Sequence, residues 1–130
     1  IFIDVDHFKS INDKYGHAAG DKVLSIFGQV SQDTIRDSDI VARLGGEEFS
    51  MTIRDSSLDE IKQFSEQCRQ AIYAIETVNE TGFDIQISAS FGITTTTISG
   101  YDYLLLMKHA DTALYASKNN GRNQVSLFKK

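Results

Sequence analysis

Arg43-Leu44-Gly45-Gly46-Glu47-Glu48-Phe49 is the stretch whose reading decides the fold. It sits between two apolar runs, Ile40-Val41-Ala42 and Phe49-Ser50-Met51-Thr52-Ile53. Gly-Gly between strand-like runs reads as a tight β-hairpin, because a type I′ turn needs φ > 0 at both central residues. Gly45 and Gly46 are the expected turn centre. Two carboxylates, Glu47 and Glu48, follow at once. Adjacent like charges repel, so stability alone does not explain them. A cation held at a strand end would.

Working outward, residues 1–6 alternate: Ile1, Ile3 and Val5 point to one face, Phe2, Asp4 and Asp6 to the other. A half-exposed strand with a solvated face explains that pattern as well as a cation site does. A short helix then closes at Gly16, and a second starts near Gly20-Asp21 and runs to 34–35. Asp21 would sit in its first turn, where the helix dipole favours a carboxylate. Turn chemistry would account for Asn12 equally well.

Downstream of the hairpin, Ser56 or Ser57 is a plausible N-cap for a helix running to about residue 77. Ile61, Phe64, Cys68, Ile72 and Ile75 form its apolar stripe. Residues 83–97 read as strand, from alternating Ile85, Ile87, Ala89 and Phe91 and a β-favouring threonine run. Residues 101–118 read as the last helix, with Leu104, Met107 and Leu114 as core. Asn119-Asn120-Gly121 ends it in the left-handed way, and 122–128 form a final strand.

The order β-α-α-β-β-α-β-α-β predicts an α+β fold, a ferredoxin-like or palm-like mixed sheet flanked by helices. One layer of helices, an added edge strand and a central Gly-Gly-Glu-Glu-Phe hairpin complete the expectation.

At 130 residues the chain is expected to form one domain. It opens mid-strand without a methionine, so it reads as an N-terminally truncated fragment of a longer protein. A net charge of −5 argues against a broad grip on a nucleic acid polymer. The single cysteine, Cys68, excludes an internal disulfide and fits a reducing, cytoplasmic compartment. No run is apolar enough to span a membrane, so no membrane contact is expected from this segment. The three histidines show no zinc spacing.

In a ferredoxin-like sheet the first strand neighbours the hairpin. Asp4 and Asp6 would then lie beside Glu47 and Glu48, and four carboxylates together call for a cation. Oxygen-only ligands favour Mg²⁺ or Mn²⁺. Metal on adjacent-strand carboxylates is equipment for nucleotidyl transfer. Lys9, Lys118 and Arg122 are candidates for phosphate contact, although lysines near helix C-termini also simply answer the dipole.

Asp4-Val-Asp-His-Phe-Lys-Ser-Ile-Asn-Asp-Lys-Tyr-Gly-His-Ala-Ala-Gly-Asp21, Arg43–Phe49, Ser90-Phe-Gly92, Ala110-Asp-Thr-Ala-Leu-Tyr115 and Lys118-Asn-Asn-Gly-Arg-Asn123 together resemble the GGDEF-domain family of diguanylate cyclases. The resemblance covers nearly the whole chain, in order. It implies condensation of two GTP into cyclic di-GMP and two pyrophosphates, in a two-fold homodimer. It implies that Asp4, Glu47 and the Val5 carbonyl hold the metal, with Glu48 also needed. Glu47 would take the proton from the ribose 3′-hydroxyl.

The resemblance further implies that Asn12 and Asp21 read guanine, a carboxylate accepting its paired N–H donors. Gly45 and Gly46 would leave room for substrate, and Lys9, Lys118 and Arg122 would contact phosphates. Arg36-x-x-Asp39 has the spacing of the family's product-binding inhibitory site. The chain departs from the family in lacking its opening helix, in Glu47 for Asp, and in having no second inhibitory arginine on the 57–77 helix. A catalytically silent receptor for cyclic di-GMP or GTP is the alternative.

Overall fold

The computed structural model describes residues 1–129. Five strands, β1 (Phe2–Val5), β2 (Ile40–Gly45), β3 (Glu48–Thr52), β4 (Ala89–Ile93) and β5 (Val125–Leu127), form one sheet ordered β2-β3-β1-β4-β5. The first four follow the ferredoxin-like order, and β5 joins β4 in parallel at the edge. The helices are α1 (Phe8–Tyr15), α2 (His17–Thr34), α3 (Leu58–Tyr73), α4 (Val78–Thr81), α5 (Thr96–Ser99) and α6 (Tyr103–Asn119). None is long and apolar enough to cross a membrane among the described residues.

Register explains which face holds what. Ile3 pairs with Phe49 and Phe91, and Val5 with Ala89. These side chains share a core with Val23 and Phe27 of α2 and Cys68 and Ile72 of α3. Burying that set is the main driving force for the fold. The opposite face carries Phe2, Asp4, Ser90 and Gly92 in matching register. There α6 lies directly on β4: a Cβ on Gly92 would meet Leu114 N at 2.2 Å and Ala110 O at 2.3 Å. Helices therefore cover both faces, in place of the single layer expected. Only a residue without a side chain lets this helix backbone approach so closely.

Several boundaries move, each for a local reason. The second helix begins at His17, directly after Gly16, so Asp21 lies past the first turn and caps nothing. The hairpin turn centres on Gly46 and Glu47, with Gly45 paired to Glu48, one residue beyond the expected centre. Gly46 has φ +47° while Glu47 is not left-handed, so the turn is not type I′.

Residues 83–88 alternate into the core as expected, with Ile85 and Ile87 buried, yet they join no ladder. The hydroxyl of buried Thr77 takes over part of the backbone pairing: it accepts from Ile85 N (2.7 Å) and donates to Phe83 O (2.7 Å). The threonine run turns helical, with Thr95 capping α5 through Ile98 N. Ser57 and Glu60 form the full capping box of α3, which stops at Tyr73 rather than 77. Leu104 is 76% exposed, while Leu114 is buried as expected, in a core line with Ala110, Ala113 and Ser117. That helix ends as expected. Gly121 is left-handed (φ +115°), and Arg122 N donates to Ser117 O at 2.9 Å.

Candidate active site

The site lies where β1 ends against the start of β3. Asp4 is the register partner of Glu48, and Val5 N donates to Glu47 O at 3.2 Å. Two strands thus make Asp4, Glu47 and Glu48 neighbours in the sheet. Asp4 is buried, and its pKa is pushed up first by that burial. A hydrogen bond from Lys118 and its charge pull it back down, while the charges of Glu47 and Glu48 push it further up. Lys118 Nζ reaches Asp4 Oδ2 at 2.5 Å from the last turn of α6.

Asp6 does not join them. Its carboxylate accepts from Ser90 Oγ (2.6 Å), Ser88 Oγ (2.7 Å) and Asn123 N (2.9 Å). Three donors, from Ser88, from Ser90 of β4 and from the turn after α6, satisfy it, so it ties the sheet to that turn. The expected quartet of carboxylates does not form, because Asp6 is turned to the opposite neighbour.

Among the described residues, no three Asp, Glu, His or Cys side chains converge closely enough to hold a metal ion. In kind, the donors still fit a hard divalent cation: a buried carboxylate, two further acidic side chains close by, and no nitrogen or sulfur ligand. Burial and two like-charged neighbours make Asp4 the carboxylate most in need of positive charge, and Lys118 supplies it here.

Beside the hairpin, a cavity of about 400 Å³ is lined by Asp21, Leu24, Ser25, Arg43 and Phe49. Asp21 enters it from the second turn of α2. Asn12 lies next to that turn. Its Oδ1 is buried with no hydrogen-bond partner, packed where a Cβ on Gly20 would stand, 1.7 Å away. An acceptor left unpaired in this way is costly unless a ligand donor meets it. Arg43 is a residue to which the sequence reading gave no role. Its Nε and Nη2 donate to Gly46 O at 3.1 and 2.8 Å, bracing the turn while lining the cavity. Its place at the head of the quoted stretch was the only signal. Lys9 and Arg122 are exposed and form no ion pair among the described residues.

Arg36 and Asp39 make a separate feature. Arg36 Nε and Nη2 donate to Asp39 Oδ2 (2.9 Å) and Oδ1 (3.0 Å) in a bidentate pair. Arg36 N and Arg54 N, each at 3.2 Å, complete the cage around the buried Asp39 carboxylate. Its pKa is lowered, first by the Arg36 side chain. A second cavity of about 270 Å³ opens beside Arg36, with Ser56, Glu60, Gln63, Phe64 and Gln67 among its walls. Among the described residues, Arg36 is the arginine that lines it.

Comparison with known proteins places this arrangement. The family described as "Diguanylate cyclase, GGDEF domain" matches residues 1–124. The chain is 39% identical over 130 residues to "Diguanylate cyclase DosC" of Escherichia coli (strain K12), covering 99% of this chain and 28% of that protein. It is 36% identical over 129 residues to "Diguanylate cyclase A" of Treponema denticola, covering 99% of this chain and 34% of that one. The chain thus spans about a third of the relatives it matches.

Among solved structures, the GGDEF domain of YfiN (TpbB) from Pseudomonas aeruginosa superimposes with a TM-score of 0.93 at 33% identity, covering 99% of this chain and 80% of that one. The GGDEF domain of DgcB from Caulobacter crescentus, solved in complex with c-di-GMP, gives 0.86 at 31% identity, covering 99% and 76%.

Proposed function

Because this chain belongs to the GGDEF family of diguanylate cyclase domains, we propose that it condenses two GTP molecules into cyclic di-GMP and two pyrophosphates. The observation that carries the reading is the register that sets Asp4 opposite Glu48, beside the Gly46–Glu47 turn. Residues 1–130 would be one catalytic domain of a longer, cytoplasmic protein.

Asn12 and Asp21 receive guanine. The unpaired Asn12 Oδ1 and the Asp21 carboxylate offer acceptors to its N–H donors, and the cavity beside Asp21 gives the base room. Lys9, Lys118 and Arg122 contact phosphates, and Gly45 and Gly46 keep side chains out of the approach. Asp4, Glu47 and the Val5 carbonyl would hold Mg²⁺ or Mn²⁺, with Glu48 in support. When bound, the ion supplies charge neutralisation for the phosphates and the leaving pyrophosphate.

Glu47 takes the proton from a ribose 3′-hydroxyl. That oxygen bonds to the α-phosphorus of a second GTP as the bond to pyrophosphate breaks. Each hydroxyl attacks the nucleotide held by the other chain, so two domains face one another in a two-fold dimer. Product bound at Arg36 and Asp39 lowers activity, a reading supported by their spacing and by the relative solved with c-di-GMP.

The deciding experiment incubates the full-length protein with GTP and Mg²⁺ and quantifies cyclic di-GMP. Product that disappears in Glu47→Gln supports the assignment. A silent receptor is the second reading. Tight nucleotide binding without product would establish it.

A further inference from the structure

The turn that follows α6 holds two consecutive non-glycine residues in the left-handed region, Arg122 (φ +62°) and Asn123 (φ +46°). Asparagine tolerates that conformation, but arginine does so rarely. Such a conformation persists only where its surroundings over-determine it, and such places cluster at functional sites.

The restraints here are specific. Arg122 N is tied to Ser117 O, and Arg122 O accepts from Gln124 Nε2 at 3.0 Å. Asn123 N donates to the buried Asp6 carboxylate. The Asn123 side chain is fixed from the other end of the fold: its Oδ1 accepts from Arg69 Nη1 at 2.9 Å, a contact 54 residues apart in the chain. Arg69 is half-buried on α3 and is itself fixed by Glu66, to which Nε donates at 2.9 and 3.1 Å and Nη2 also donates.

We infer that Arg69 is a positioning residue for nucleotide phosphate: by clamping Asn123 between itself and Asp6 it holds Arg122 in its left-handed conformation, aiming the guanidinium at the triphosphate. The inference rests on the reading of Arg122 as a phosphate contact and adds the device that sets its direction. Glu66 and Asp6 are the two anchors of the clamp. Lysine could not replace Arg69, because one ammonium lacks the planar fork needed to meet Glu66 and Asn123 together.

Two measurements separate the clamp from the nucleotide reading. Amide exchange at Asn123 tests the clamp without ligand. In Arg69→Ala it should speed up by at least about tenfold while the core strands keep their protection. Unchanged exchange at Asn123 would overturn the inference. Equilibrium binding of GTP and of GMP then tests the phosphate role. Arg69→Ala should reduce the preference for GTP over GMP by about tenfold and leave GMP affinity unchanged. An equal loss for both nucleotides would mean a merely structural residue and would overturn it too.

Asn123→Gly supplies a third arm. Glycine adopts φ > 0 freely and retains the N–H to Asp6, so adding Arg69→Ala to it should change the GTP preference no further. Full additivity counts against the inference. If the parent protein shows no preference for GTP over GMP, the phosphate reading itself is wrong and the phosphate half of the inference falls with it. Asn123 exchange still decides the clamp.

Discussion

Lys118 Nζ and Asp4 Oδ2 lie 2.5 Å apart, so a proposed phosphate contact and a proposed metal ligand neutralise one another. Asp4 is buried beside Glu47 and Glu48, and the ammonium is the charge that offsets them. Asp4 would be the residue to hold a divalent cation, which would supply that charge and leave Lys118 free for the phosphate contact proposed for it.

Replacing Lys118 with methionine should therefore cost stability at neutral pH, by about 1–2 kcal/mol once solvent screening of the lysine is allowed for. Asp4 already has a raised pKa, so its protonated form is the one the fold favours. Its contribution to stability is full below the ordinary value of 3.8 and is lost as pH rises through the raised one. The deficit of Lys118→Met should shrink as pH falls, because neutral Asp4 needs no partner. Urea denaturation of parent and variant at about pH 7 and about pH 4 checks this. A deficit independent of pH would show that the pair does not matter.

Arg36 serves the fold as well as any ligand. Asp39 is held below the usual carboxylate range, first by Arg36, so its contribution is present above about 3.8 and lost as pH falls through the lowered value. Arg36→Ala should begin acid unfolding at a higher pH than the parent, followed by circular dichroism. It should also relieve product inhibition with little loss of initial rate. Unchanged inhibition would remove the feedback site, and superimposable acid transitions would remove the structural role.

Gly20 makes room for Asn12. In Gly20→Ala the new methyl would sit 1.7 Å from Asn12 Oδ1 and 3.3 Å from Phe8 Cζ, so the amide must leave its place. GTP affinity measured by calorimetry should fall about tenfold, with only a small change in melting temperature. Undiminished GTP binding would take Asn12 out of the base site.

Gly92 carries the contact between β4 and α6. Its Cβ would strike backbone atoms of Leu114 and Ala110, which cannot rotate away. Gly92→Ala should lose about 3 kcal/mol or more, or fail to fold. Because α6 carries Lys118, a variant that does fold should also show a weakened response to GTP. A stability within about 0.5 kcal/mol of the parent would mean that the helix has room to shift.

Much was legible in the chain itself, because it depends on near neighbours. Alternation picked out the buried faces of β1 and β4, helical spacing the stripe of α3, and Ser57 with Glu60 its first turn. The Gly-Gly pair located the hairpin within one residue. Glu47, Glu48 and Asp4 were named from sequence, since a strand order that sets β1 beside β3 brings them together.

What tertiary structure alone decided was which partner each polar group takes. Alternation over 83–88 was real, but Thr77 from another segment satisfies part of its backbone and keeps it out of the sheet. Asp4 in β1 and Asp6 just past its end stand two residues apart, yet one meets Lys118 and the other two serines and Asn123. Leu104 and Leu114 look alike in sequence, and only the second faces the sheet. Arg69 and Asn123 meet across 54 residues with no local pattern to announce it. Local periodicity determines which side of an element is apolar. Which carboxylate is left for chemistry depends on long-range contacts that no short stretch encodes.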